Sequence, residues 1–160
     1  MAFFLYASFP NSRGRTRQPT TQAITYQTNI ASQNDVVPLL TKIASANLNR
    51  TYLLVENLDP TFNTYYLYAE DIVVNPTVVA TFGVLNQLRF DPIGLILYVK
   101  TVADGTDTNW AVVPDTNYID VCELIAAGAT AGLESLESVY AIGDQAAAAT
   151  LLLGLDEGRN

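Results

Sequence analysis

Between Thr20 and Pro114 every run of β-forming residues is short and is closed by a residue that turns the chain. Ile24, Tyr26, Thr28 and Ile30 alternate with Ala23, Thr25, Gln27 and Asn29, the period-2 signature of a strand with one buried face. Ser32-Gln33-Asn34-Asp35 turns the chain. Val36 to Ile43 is apolar but holds Pro38, which cannot donate to a ladder and so points to an edge strand or an extended segment. Thr64–Ala69, Ile72–Val74, Thr77–Phe82, Val84–Phe90, Leu95–Thr101 and Asn109–Val113 follow. Asp59-Pro60, Asn75-Pro76, Gly83, Asp91-Pro92, Gly94, Asp104-Gly105 and Pro114-Asp115 punctuate them. This pattern predicts a mainly β protein, an antiparallel β-sandwich of jelly-roll-like type.

The densest part of the pattern is Asn47-Leu48-Asn49-Arg50-Thr51-Tyr52-Leu53-Leu54-Val55-Glu56-Asn57-Leu58. Asn47 and Asn49 suit a turn, because their side chains bond to nearby backbone and tolerate left-handed conformations. From Thr51 to Leu58 neither alternating set is cleanly polar, which predicts a central strand with both faces covered.

The two ends read differently from this body, dividing the chain into 1–20, 21–119 and 120–160. Residues 1–20 read as an extended arm: Phe3, Phe4, Leu5, Tyr6 and Phe9 are apolar, and Asn11 to Pro19 is polar and without periodicity. The arm either lies on a neighbouring subunit or adds Phe3–Phe9 as a first strand to its own sheet. After Asp120, Ala and Leu replace the β-branched residues. Leu133, Leu136 and Tyr140 fall at i, i+3 and i+7, which favours a helix over the competing strand Leu136–Ile142. Gly143 would stop it, and Asp144 would cap a second helix over Gln145–Leu153. Residues 120–160 are therefore expected as an Ala-rich, partly helical appendage.

Only 15% of the 160 residues are charged, below the roughly 25% usual for soluble domains, so partners are expected to cover much of the surface. The net charge of −8 is unevenly placed: residues 1–100 hold seven basic and six acidic residues, residues 101–160 one and ten. Arg13, Arg15 and Arg17 make the arm cationic, which suggests contact between copies or with an acidic scaffold, while the low pI argues against nucleic acid. No run approaches the ~18 apolar residues of a membrane span, and the first residues lack a basic leader, so a soluble, unexported protein is expected.

With no histidine, the usual general base and the commonest zinc ligand are missing. The lone Cys122 is expected as a buried small hydrophobe. A glycosidase needs only two carboxylates, for which Glu56, Glu70, Asp71 and Asp91 are nominal candidates; a solvated surface role is favoured. Asp104 to Asn109 is rich in oxygen ligands but lacks the EF-hand order, favouring a plain hairpin loop. Asn49-Arg50-Thr51 is a formal glycosylation sequon, idle without export. Tyr65, Tyr66 and Tyr68 with Tyr98 and Trp110 would make a sugar-stacking platform if they shared a face; packing is favoured. Neither an enzyme, a cofactor nor a metal is expected.

Ala46 to Leu58 resembles a motif of small β-sandwich virion proteins of tailed bacteriophages, in which a polar A-N-x-N-R turn leads into an apolar strand ending in x-N-L. Gly94 to Thr101 and Gly105 to Trp110 are similar to a hairpin of phage fibre, tail and head-decoration proteins. The resemblance covers roughly residues 45–113 and reaches neither end of the chain. Where the family often has a Pro-Gly turn, this chain has Asp91-Pro92-Ile93-Gly94. It implies architectural roles for Asn47, Asn49, Arg50, Asn57 and Trp110, the Asn residues closing turns and the Arg satisfying backbone or carboxylate groups. The expectation is a non-enzymatic protein of the virion surface, assembled in the host cytoplasm. It would decorate or cement the capsid by binding the major capsid protein and copies of itself, a trimer being favoured, with no nucleic acid or membrane. Phe3, Phe4, Arg13, Arg15 and Arg17 would make partner contacts. A tail, fibre or head–tail adaptor component is the alternative, and a carbohydrate-binding module the alternative of another class.

Overall fold

A computed structural model describes residues 22–102 and 108–160. The described chain is mainly β, with strands β1 (Gln22–Ile30), β2 (Thr41–Ala44), β3 (Arg50–Asn57), β4 (Thr64–Asp71), β5 (Leu88–Asp91), β6 (Ile96–Lys100), β7 (Trp110–Val113), β8 (Glu123–Ile125), β9 (Thr130–Leu133), β10 (Ser138–Gly143) and β11 (Leu151–Arg159). A short 3-10 segment, Asp115–Val121, precedes β8. The first sheet has the order β1-β11-β3-β9 and is antiparallel throughout. The second has β2-β10-β4, with β8 beside the start of β4 and β5 beside its end; β6 and β7 continue from β5.

The two sheets form a sandwich. Ile30, Leu53, Val55, Leu133, Leu151, Leu153 and Leu155 of the first pack against Ile43, Tyr66, Ile125, Val139 and Ala141 of the second. A second core lies on the far side of the second sheet. There Leu67, Ala69, Tyr140 and Ile142 meet Leu40, Phe90, Leu97, Val113 and Tyr118. The β5-β6-β7 piece and the 3-10 segment thus fold back as a flap over the outer face of β4 and β10. Among the described residues no equivalent layer covers the outer face of the first sheet, where Leu54, Glu56 and Leu152 are exposed.

Residues 120–160 correct the expectation of a helical appendage. They supply β8 to β11, and β11 lies between β1 and β3, so this segment is part of the sandwich rather than something packed on it. The spacing of Leu133, Leu136 and Tyr140 misled because these residues have three separate environments: Leu133 is in the inter-sheet core, Tyr140 in the second core, and Leu136 is exposed. The second expected helix, Gln145–Leu153, is a turn followed by the start of β11. Gln145 anchors that turn, its Nε2 donating to the carbonyls of Ile30 and Ala149, and Ala148 takes a left-handed conformation at φ 65°.

The strand covered on both faces is β10, with all six residues buried, rather than β3. β3 is interior to its sheet but alternates, with Arg50, Leu53, Val55 and Asn57 inside. The runs Ile72–Val74 and Thr77–Phe82 form no strand. Asn75 accepts hydrogen bonds from the backbone and hydroxyl of Thr77 and turns the chain there instead.

Candidate functional site

The motif residues of the β3 region come together around one buried charge. Asn47 closes the turn before the strand, its side-chain oxygen accepting from the Asn49 amide at 2.9 Å. The Arg50 guanidinium then donates to Glu157 Oε2 (2.7 Å) and to the carbonyls of Ser135 (2.7 Å), Glu137 (3.1 Å) and Ser45 (2.6 Å). Arg50 and Glu157 side chains are each 1% exposed, and Glu157 takes a second bond from Arg159 at 2.8 Å. One planar cation therefore joins the start of β3, the end of β11, the β9–β10 loop and the residue after β2, a use that suits the rigid fork of arginine. At the other end of β3, buried Asn57 donates to the carbonyls of Phe62 (2.8 Å) and Ile125 (3.3 Å) and accepts from the Asp59 amide. These groups are consumed by the fold and present nothing to a substrate.

Burial alone would raise the Glu157 carboxyl, but the hydrogen bonds and charges of Arg159 and Arg50 hold it below its ordinary 4.5. Asp71 behaves likewise: burial raises it, and the bonds from Lys42 and Tyr140 bring it below 3.8. The unfolded chain, lacking these partners, takes up protons first as pH falls. Their stabilisation is thus complete above about pH 4.5 and is lost as pH falls through the lowered folded-state values. Urea denaturation should give a lower midpoint at pH 3 than at pH 7, and Glu157→Gln should flatten that dependence; an unchanged midpoint in the native protein would contradict the assignment.

The aromatic residues do not form a platform. Trp110 is 5% exposed, donates its indole N–H to the Thr81 carbonyl at 3.0 Å, and packs with Tyr98 and Ile72. Arg89 and Lys100 stand 5.5 and 5.9 Å from its ring centre, and a Cβ at Gly83 would collide with the ring. Tyr66 and Tyr68 turn toward the inter-sheet core and meet edge-on at 5.7 Å, while Tyr65 packs on the second core.

The nominal carboxylate candidates are dispersed in role. Glu70 pairs with Arg89 (2.6 Å), Asp71 with Lys42 (2.6 Å), Asp91 accepts from the Ile93 and Gly94 amides, and Glu56 lies exposed on the outer face of the first sheet. Among the described residues no three Cys, Asp or Glu groups are placed to hold a metal ion. Cys122 packs on the second core half-buried, and burial pushes its thiol up to about 12, which keeps it protonated. Phe3, Phe4, Arg13, Arg15, Arg17 and the acidic part of the 104–109 loop lie outside the described residues.

What the body presents is apolar surface. Between Ile72 and Val102 the chain holds only Arg89, Asp91 and Lys100 as charges, and Val73, Val78, Phe82, Val84 and Ile93 are between 60% and 84% exposed. Val36, at 99%, belongs to the β1–β2 loop, whose Val37 and Leu39 line one shallow groove with Leu95 and Val112 of the flap. So many large apolar side chains left exposed along a stretch with only three charges is the kind of surface that partners cover. The sequence showed these residues but not their exposure, since a run such as Thr77–Phe82 reads as a strand with an inside. Comparison with known protein families, characterised proteins and solved structures finds no match.

Proposed function

We propose that this protein is a non-enzymatic structural component of a bacteriophage virion. It decorates or cements the capsid as a homo-oligomer, a trimer being favoured, bound to the lattice of the major capsid protein. The observation that carries this reading is strand order. β1-β11-β3-β9 faces β2-β10-β4-β8, with the first and last strands paired and every succession except β4 to β8 passing from one sheet to the other. That is the order of a jelly roll, an architecture used by viral capsid and lectin domains and by cupins. The resemblance of residues 45–113 to phage virion proteins selects among these. A cupin-type metal site is poorly served by a chain without histidine. A lectin reading loses its aromatic platform, because Trp110, Tyr98 and Tyr66 are buried.

In this reading the weakly charged flap and the β1–β2 loop are the lattice-facing surface, and many modest contacts repeated over the particle add up to stable attachment. Ile93→Asp and Val36→Asp alter exposed side chains and should change folding stability by only about 0.5 kcal/mol or less. Particles assembled with these variants should carry at least tenfold fewer copies than particles with the native chain. Full occupancy would remove the flap from the attachment surface. Counting copies in purified native particles tests the wider reading, since a few copies at one vertex would instead assign a tail or adaptor role.

A further inference from the structure

The geometry points to the outer face of the β1-β11-β3-β9 sheet, which no layer of the described residues covers, as the receptor for the N-terminal arm, residues 3–17, of a neighbouring copy of this chain. The inference rests on the self-association in the proposed function, but not on the virion setting.

The strand register sets out this face as two adjoining rows. Thr25, Asp156, Leu54 and Gly132 form one; Gln27, Gly154, Glu56 and Thr130 form the next. Tyr52, Leu58 and Leu152 border them. Two of these positions, both within strands, are glycine, and the body gives no reason for either. Neither Gly132 nor Gly154 has a positive φ. A Cβ at Gly154 would sit 3.5 Å from Leu58, and one at Gly132 3.8 Å from Leu54, both ordinary contacts. Glycine inside a strand weakens it, and a common reason for its presence is close approach of another backbone. Here the glycines lower the floor of a trough whose walls are Leu54, Leu58 and the edge strands.

The chemistry of the trough matches the arm. Its apolar groups are exposed leucines, and its charges are the carboxylates of Glu56 and Asp156, with no Lys or Arg at the outward strand positions. The arm carries Phe3, Phe4, Leu5, Tyr6 and Phe9, then Arg13, Arg15 and Arg17, and no acidic residue between 1 and 20. Alternate residues of an extended chain share a side about 7 Å apart, close to the spacing between the rows holding Asp156 and Glu56.

The arm joins the body at Gln22, which pairs with Arg159 at the edge of this same sheet. Between Gly14 and Gln22 the sequence has no Gly or Asn at which to reverse, and Pro19 biases Gln18 toward extended backbone. Eight extended residues span about 26 Å, and because β11 ends at Arg159, opposite Gln22, an extended continuation of β1 leads off the end of the sheet rather than back across its face. That reach favours the next copy over the arm's own face. Each copy then gives one arm and offers one trough, a head-to-tail contact of the kind that builds a ring when its rotation closes.

The test uses full-length purified protein without capsids, so a failure of the virion reading leaves it intact. An arm variant carries Arg13→Glu, Arg15→Glu and Arg17→Glu; a face variant carries Glu56→Arg and Asp156→Arg. By light scattering each alone should associate at least tenfold more weakly than the native chain, with unchanged circular dichroism. Mixing the two should recover association in part, because an acidic arm then meets a basic face and a basic arm an acidic face, while a three-membered ring keeps one mismatched contact. Gly154→Leu, which fills the trough without changing charge, should also weaken association tenfold. Undiminished association of either variant or of Gly154→Leu, or no recovery on mixing, would overturn the proposal. So would a monomeric native protein in which the arm shields its own face from hydrogen exchange.

Discussion

A chain ended after Gly143 will not fold. It lacks β11, whose removal leaves β1 with no hydrogen-bonded neighbour strand among the described residues and exposes the edge of β3 that β11 had paired. It also removes Leu151, Leu153 and Leu155 from the inter-sheet core. At roughly 1.5–3 kcal/mol for each fully buried leucine, the lost burial alone is about 5–9 kcal/mol, comparable with the whole stability of a typical domain. Circular dichroism and size exclusion of the shortened chain should show an unfolded or aggregated species. A soluble, cooperatively melting product would mean that the C-terminal segment is dispensable after all.

Replacing Arg50 by Leu should cost about 3–5 kcal/mol, the usual penalty for stripping one partner from a buried ion pair. The side chain is small enough to fit, so the loss is electrostatic: Glu157 keeps only Arg159, and the carbonyls of Ser135, Glu137 and Ser45 lose their donor. Arg50→Lys should recover little, because one ammonium cannot reach four acceptors held in a fork geometry. Denaturant midpoints of the three proteins decide the matter. A shift below about 1 kcal/mol for Arg50→Leu would place the stabilising weight elsewhere.

Strands β1, β3 and β6 were legible in the sequence, the first from its alternation and the other two as largely apolar runs closed by turn residues. Ile24 to Ile30, Thr51 to Asn57 and Leu95 to Thr101 are each bounded by turn residues, and β1, β3 and β6 lie where those runs predict. The C-terminal third was not, for two physical reasons. β10 is buried on both faces, which erases the alternation that separates a strand from a buried helix. The alanines before β11 have high helix propensity, yet the turn they form is held by Gln145 bonding to Ile30, a contact between residues 115 apart in sequence. Distance in sequence also hid the Arg50–Glu157 pair, whose members are 107 residues apart. Leu54 and Glu56 were recognisably part of a strand, but that their side faces outward becomes visible only in the alternating burial of β3, where both are exposed.

The pairing of β1 with β11 has a consequence for how the protein is made. The first strand of the body waits for the last, and β3 also needs β11 on its inner edge. Contacts this distant along the chain close slowly, since the entropy of a long loop is lost before any pairing offsets it. On the ribosome, β1 through β10 must therefore emerge without their final partner, with the open edges of β1 and β3 exposed to pairing with other nascent chains. The yield of native protein should depend on the time between synthesis of β3 and synthesis of β11, and on chaperone supply during that interval.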